Sequence, residues 1–123
     1  MIGDHHSALQ QATRLEEAAS MASELDRCRV VDSFVRFYSG SLVRHMHKEG
    51  DLFLAVSGRE QAKGLVRRAL VGHRRIQARV RVLRDELANG RADPSRLMAL
   101  SELLTTQVLF EEREVHPMLS PSS

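Results

Sequence analysis

The 123-residue chain has no tryptophan, one tyrosine and four phenylalanines, so its interior must be built mainly from aliphatic side chains. Cys28 is the single cysteine, which excludes a disulfide framework and a cysteine-built zinc site. Its plain reading is a small side chain near a helix start. The only prolines are Pro94, Pro117 and Pro121, so residues 1–93 lack the residue that most reliably interrupts a helix, and long helices are allowed there. No apolar run reaches transmembrane length, and Met1-Ile2-Gly3-Asp4 does not open a signal peptide. These absences predict a cytoplasmic protein with no membrane partner. Net charge is small, +2, but basic residues crowd the segment from Arg59 to Arg84. No aromatic residues interleave with them, and Asp85 and Glu86 dilute the charge at one end, so the segment reads as a solvated helix face rather than a nucleic-acid surface.

What is present is helical. Apolar residues make up 42% of the chain, enough for the core of one domain spanning residues 1–123. Alanine, leucine, valine, arginine and glutamate dominate, a composition suited to helices. Apolar residues recur at helical spacing in four segments. The first, about 5–25, starts from Asp4 as an N-cap and carries His5, Ala8 or Leu9, Ala12, Leu15, Ala19, Ala22 and Leu25. A break at Asp26-Arg27 precedes the second, about 28–57, with Val31, Phe34, Tyr38, Leu42, His45, Glu49 and then Leu52 or Phe53; Ser57-Gly58 closes it. The third, about 60–88, carries Val66, Ala69, His73, Ile76, Val80, Leu83 and Leu87. Asn89-Gly90 ends that segment, and Asp93-Pro94 supplies an N-cap and a first-turn proline. The fourth, about 94–115, carries Leu97, Leu100, Leu104, Gln107 and Glu111, and Pro117 ends it. Four helices with short connections predict an all-α, up-down-up-down antiparallel four-helix bundle.

Each inward stripe is broken by a polar residue that a core would reject. His45 and Glu49, four residues apart, share the inward face of the second helix. A buried carboxylate needs a cation, a donor or a metal ion. His5, His73, Gln107 and Glu111 interrupt the other stripes, with His6 in reserve for His5. Counting residues from the connecting turns places all of them within about one to two helical turns of a common level. Polar residues unrelated to one another would scatter. Imidazoles and carboxylates from four helices at one level suit a shared iron, manganese or zinc ion, and paired carboxylates that can bridge favour two irons. His47 faces roughly opposite to His45 and reads as surface. Gly50, beside Glu49, is a place where the helix could distort.

With these residues in view, the chain resembles the hemerythrin-like family of HHE cation-binding domains. The stretch His45-Met46-His47-Lys48-Glu49-Gly50-Asp51-Leu52-Phe53 is similar to the second-helix motif of bacterial members. Phe110-Glu111-Glu112-Arg113-Glu114-Val115-His116-Pro117 is similar to the ending of the fourth helix. The resemblance covers nearly the whole chain and implies a non-haem di-iron centre, with His5, His45 and His73 as terminal ligands and Glu49 and Glu111 as bridging carboxylates. The chain departs from the family pattern at four positions. Gln107 stands where the family has the fourth-helix histidine, and a carboxamide is a poorer iron ligand. Gly50 removes a second glutamate, and Gln77 occupies the place of a second third-helix histidine found in some members. His116 stands where the family has phenylalanine, nine residues beyond Gln107 and too far along to replace it without a distortion. An altered di-iron site, a single-iron site and a bundle without metal all remain compatible.

The resemblance implies a non-catalytic domain that binds or senses oxygen, nitric oxide, iron or redox state, with a small diatomic ligand or a metal ion as its partner. Two alternatives stand beside it. One is a di-iron enzyme turning over peroxide, ferrous iron or nitric oxide, with Tyr38 near the centre. The other is a metal-free interaction module that meets a protein partner through the arginine-rich third helix.

Overall fold

The computed structural model describes the backbone of residues 2–56, 58 and 60–119. Ser57 and Arg59, the expected helix end and the first residue of the basic segment, lie outside these residues, as does the polar tail from Ser120. The elements are α1 (Ile2–Ala19), α2 (Glu24–Phe37), α3 (Val43–Val56), α4 (Glu60–Ala88), α5 (Pro94–Phe110) and α6 (His116–Leu119). Two five-residue π-helical turns, Tyr38–Leu42 and Glu111–Val115, join α2 to α3 and α5 to α6 without a break. The described residues thus make four rods and contain no strand. α1 packs on α2 and α5, and α4 packs on α2, α3 and α5. No helix among the described residues is long and apolar enough to cross a membrane.

Local chemistry explains the ends. Ser23 caps α2, its hydroxyl accepting from Asp26 N at 3.2 Å, and Glu24 and Asp26 place negative charge in the first turn, where the helix dipole favours it. Asp93 caps α5, accepting from Ser95 N at 2.9 Å, with Pro94 in the first turn. Gly90 ends the third rod with φ +70°, a conformation glycine adopts without strain. Arg27 fastens the two turns at this end of the bundle: its Nη1 donates to Met21 O at 2.7 Å and its Nε to Ala92 O at 2.8 Å.

Two apolar clusters fill the interior. The larger, nearer the Arg27 end, includes Leu15, Val31, Phe34, Leu83, Leu97 and Leu100. The smaller contains Phe53, Ala62, Val66, Ala69, Phe110 and Val115. Each fully buried leucine, valine or phenylalanine among them contributes about 1.5–3 kcal/mol. Along the second, third and fourth rods, the inward polar residues fall between members of the two clusters.

Several expected boundaries move. The first helix ends at Ala19 rather than near residue 25, because Ser23 captures the next helix start. Leu25 is consequently 62% exposed, and Ala22 is exposed as well. Asp4 lies inside α1 instead of capping it. The helix is regular at Gly50; the distortion falls at Tyr38–Leu42, around Gly40. The fourth rod continues past residue 115 to Leu119, so Pro117 lies within it rather than ending it.

Candidate metal centre

His5 on α1, His45 and Glu49 on α3, His73 on α4 and Gln107 on α5 are all buried, with Glu111 at the start of the second π turn buried beside them. The sequence placed these six residues at one level, and the fold brings them together. His6 and His47 are exposed, so His5 is the inward histidine of α1. His6 Nε2 lies 3.3 Å from Gln10 Nε2, away from the cluster.

The two glutamates are the hubs. His45 Nε2 lies 2.9 Å from Glu49 Oε1. His73 Nε2 lies 2.8 Å from Glu111 Oε2 and 3.7 Å from Glu49 Oε1. His5 Nε2 faces both, 3.5 Å from Glu111 Oε1 and 3.8 Å from Glu49 Oε2. Its other nitrogen, Nδ1, stands 3.6 Å from the half-exposed Glu112. The rings of His5 and His45 meet edge to face at 5.0 Å, and that of His73 stacks on Phe53 at 6.0 Å.

The sequence sets His116 too far from Gln107 to replace it without a distortion, and the structure contains that distortion. Nine residues of α-helix make about two and a half turns, which would set residue 116 opposite Gln107. The π turn changes that phase. His116 N–H donates to Glu111 O, five residues back, so one extra residue is accommodated. His116 then takes the place one turn beyond Glu111 that Val115 would hold in a regular helix, while Val115 enters the smaller apolar cluster. His116 Nε2 lies 3.0 Å from Glu49 Oε2, and its ring stacks on His5 at 4.6 Å with a 7° tilt. In the sequence, the only hint is a proline directly after His116, which disfavours ordinary helix at the residue before it.

Gln107 also differs from expectation. Its Nε2 donates to Glu111 Oε2 at 2.6 Å and to Ala69 O at 3.0 Å. The carboxamide lies against Gly72, where an added Cβ would fall 1.8 Å from Gln107 Oε1. Gln107 is therefore turned towards the backbone of α4 and holds Glu111 rather than offering its oxygen to the centre. A glycine on α4 one residue before the inward His73 was the available signal.

The electrostatics follow from burial among opposite charges. Burial works to lower the pKa of His5, but Glu111 and Glu49 outweigh it and raise the value from 6.5 to about 9. Burial works to raise the pKa of Glu49, but His116, His45 and His5 outweigh it and hold the carboxyl well below the usual range. A cavity of about 20 Å³, room for roughly one water or ion, is lined by His5, His45, Glu49, His73, Gln107 and Glu111 on its polar side. Ala8, Leu42, Met46, Ile76, Leu104 and Val108 complete it.

The family model for the hemerythrin HHE cation-binding domain matches residues 1–119. The chain belongs to the hemerythrin HHE family. No curated protein and no solved structure gives a significant match. Hemerythrin-like domains bind metal ions, and the residues present fit one. Ligand atoms of His5, His45, Glu49 and Glu111, all buried, lie within 4.8 Å of one another. His5 Nε2 is buried without a hydrogen bond, its nearest carboxylate oxygens 3.5 and 3.8 Å away. Folded proteins rarely leave such atoms unsatisfied, because each costs roughly 1–3 kcal/mol. Imidazole nitrogens and carboxylate oxygens are donors that iron, manganese and zinc accept.

Proposed function

We propose that this hemerythrin-family domain holds non-haem iron in its core and uses it to bind or sense a small ligand such as oxygen or nitric oxide. The observation that carries the reading is the set of buried, converging nitrogen and oxygen atoms around the small cavity, with His5 Nε2 among them making no hydrogen bond. In this reading His5, His45, Glu49, His73 and Glu111 hold one or two irons, and Gln107 is withdrawn from the ligand set by its bonds to Ala69 and Glu111. Iron, when bound, supplies an open coordination position and a change of oxidation state. The protein supplies the rest. Glu49 and Glu111 bring two negative charges that lower the energy of a cation there. The Glu112 carboxylate near His5 Nδ1 favours the orientation that presents Nε2 inward. The apolar side of the cavity excludes water and fits a ligand of few atoms better than an organic substrate.

The same reading takes the four rods as one up-down-up-down antiparallel domain, supported by their short connections and pairwise packing, and places the protein in the cytoplasm. Binding or sensing is preferred to turnover of peroxide, ferrous iron or nitric oxide because Tyr38, the suggested redox residue, packs in the larger apolar cluster with its ring 6.4 Å from Phe34. Anaerobic, iron-loaded protein should change its visible absorption on exposure to oxygen or nitric oxide, reversibly for at least one gas. An iron-loaded protein blind to both would overturn the sensing role.

A further inference from the structure

We infer that His116 is a metal ligand of this domain and has taken over the imidazole role vacated at Gln107 on the fourth rod. The inference rests on the proposed metal-binding function and adds a ligand from a position that the family motif does not use.

Three observations support it. First, His116 stands in the same relation to a hub carboxylate as His45 and His73 do. Its Nε2 is 3.0 Å from Glu49 Oε2, His45 Nε2 is 2.9 Å from Glu49 Oε1, and His73 Nε2 is 2.8 Å from Glu111 Oε2. Ligand atoms of His5, His45, Glu49 and Glu111 lie within 4.8 Å of one another, and His116 adjoins that group through Glu49 Oε2. Second, the backbone departs from the α-helix between Glu111 and His116, in the Glu111–Val115 turn. Without that turn the imidazole would leave the face that Glu111 shares. π turns of this kind recur where a helix must present a functional side chain. Third, the displaced residue is accounted for. Gln107 is occupied by two hydrogen bonds and seated over Gly72, so α5 offers the centre no donor from that position. Without His116 the fourth rod would contribute a carboxylate alone; with it, the rod again contributes one imidazole and one carboxylate.

His116 is also the most accessible imidazole of the set, its side chain 19% exposed against 3–9% for His5, His45 and His73. The replacement therefore moves one ligand from the middle of the bundle towards its end, where exchange with solvent is easier.

Anaerobic titration of the full chain with cobalt(II) tests this, because cobalt gives an absorption spectrum that reports its ligands. His116→Ala and His116→Gln are compared with wild type, and His47→Ala, an exposed histidine, is the control. Thermal melts of the metal-free proteins establish folding. The expected result is cobalt binding weakened by more than about 100-fold in both His116 variants, with an altered band pattern and with His47→Ala unchanged. Loss of about 10–100-fold with the wild-type bands retained is what a residue that merely positions a ligand gives, and it would overturn the ligand assignment. So would wild-type affinity in both variants. If His116→Ala fails to fold, His116→Gln, which can still donate to Glu49, decides. Wild-type protein that binds no cobalt or iron would instead overturn the metal-binding function on which the inference rests.

Discussion

The second and fourth rods carry the same spacing, an inward polar residue four places before an inward glutamate, and they use it differently. On α3, His45 meets its own glutamate at 2.9 Å. On α5, Gln107 donates to its own glutamate at 2.6 Å and fastens it to the backbone of α4 through Ala69. The imidazole associated with the fourth rod comes from the far side of a π turn and meets the opposite rod's glutamate, Glu49. The same spacing thus yields an imidazole–carboxylate pair in one rod and an amide–carboxylate pair fastened to α4 in the other. Side-chain chemistry and one added residue of backbone decide which, and spacing alone does not.

Removing the more heavily surrounded hub should break the comparison most. Glu49→Ala leaves His45 and His116 facing no carboxylate on that side. Loss of one partner from a buried ion pair costs about 3–5 kcal/mol, so the metal-free protein should lose roughly that much in urea unfolding, and metal retention should vanish. Gln107→Ala should cost less, about 1–3 kcal/mol, because it strips hydrogen bonds from Ala69 O and the buried Glu111. Unlike the Glu49 change, it should leave the metal-dependent rise in melting temperature in place.

A smaller effect sharpens the contrast. Gly72→Ala must push the Gln107 carboxamide from its seat. It should destabilise the wild-type chain by about 1 kcal/mol, even though alanine favours a helix by roughly that amount over glycine. In a Gln107→Ala background the same change should stabilise instead. A double-mutant cycle by urea denaturation reads this reversal of sign.

The pH dependence sharpens the comparison from the side of charge. His5 titrates near 9 when folded against an ordinary 6.5, so its favourable contribution is complete below pH 6.5 and is lost as pH rises through 9. Glu49 is held below the ordinary carboxylate value, so its contribution is present above that value and is lost in acid. The metal-free protein should therefore lose stability between pH 6.5 and 9. A metal ion must displace the His5 proton, so the gain in melting temperature on metal binding should widen across the same interval.

Much of this molecule was legible from its residues. The inward stripes, the third helix at 60–88 and the convergence of His5, His45, Glu49, His73 and Glu111 follow from helical period and the position of turns. Ser23 is a legible cap, and its capture of the α2 start places Leu25 on the second rod rather than the first. The π turns were not legible, because the inward stripe through Tyr38, Leu42 and His45 fits an ordinary helix, and nothing in Glu111–Val115 demands a fifth residue. His116 was lost with the second of them. Gln107 was read as a weak ligand because its seat depends on Gly72 and Ala69 of another rod, contacts that no local pattern contains.

The central claim is that imidazoles and carboxylates from four rods enclose a cation. The most direct measurement is an iron count per chain after anaerobic loading with ferrous ion and removal of excess by gel filtration. The account predicts about one or two irons retained per chain, falling to background in Glu49→Ala. Wild-type protein that elutes with iron no higher than that variant would contradict it.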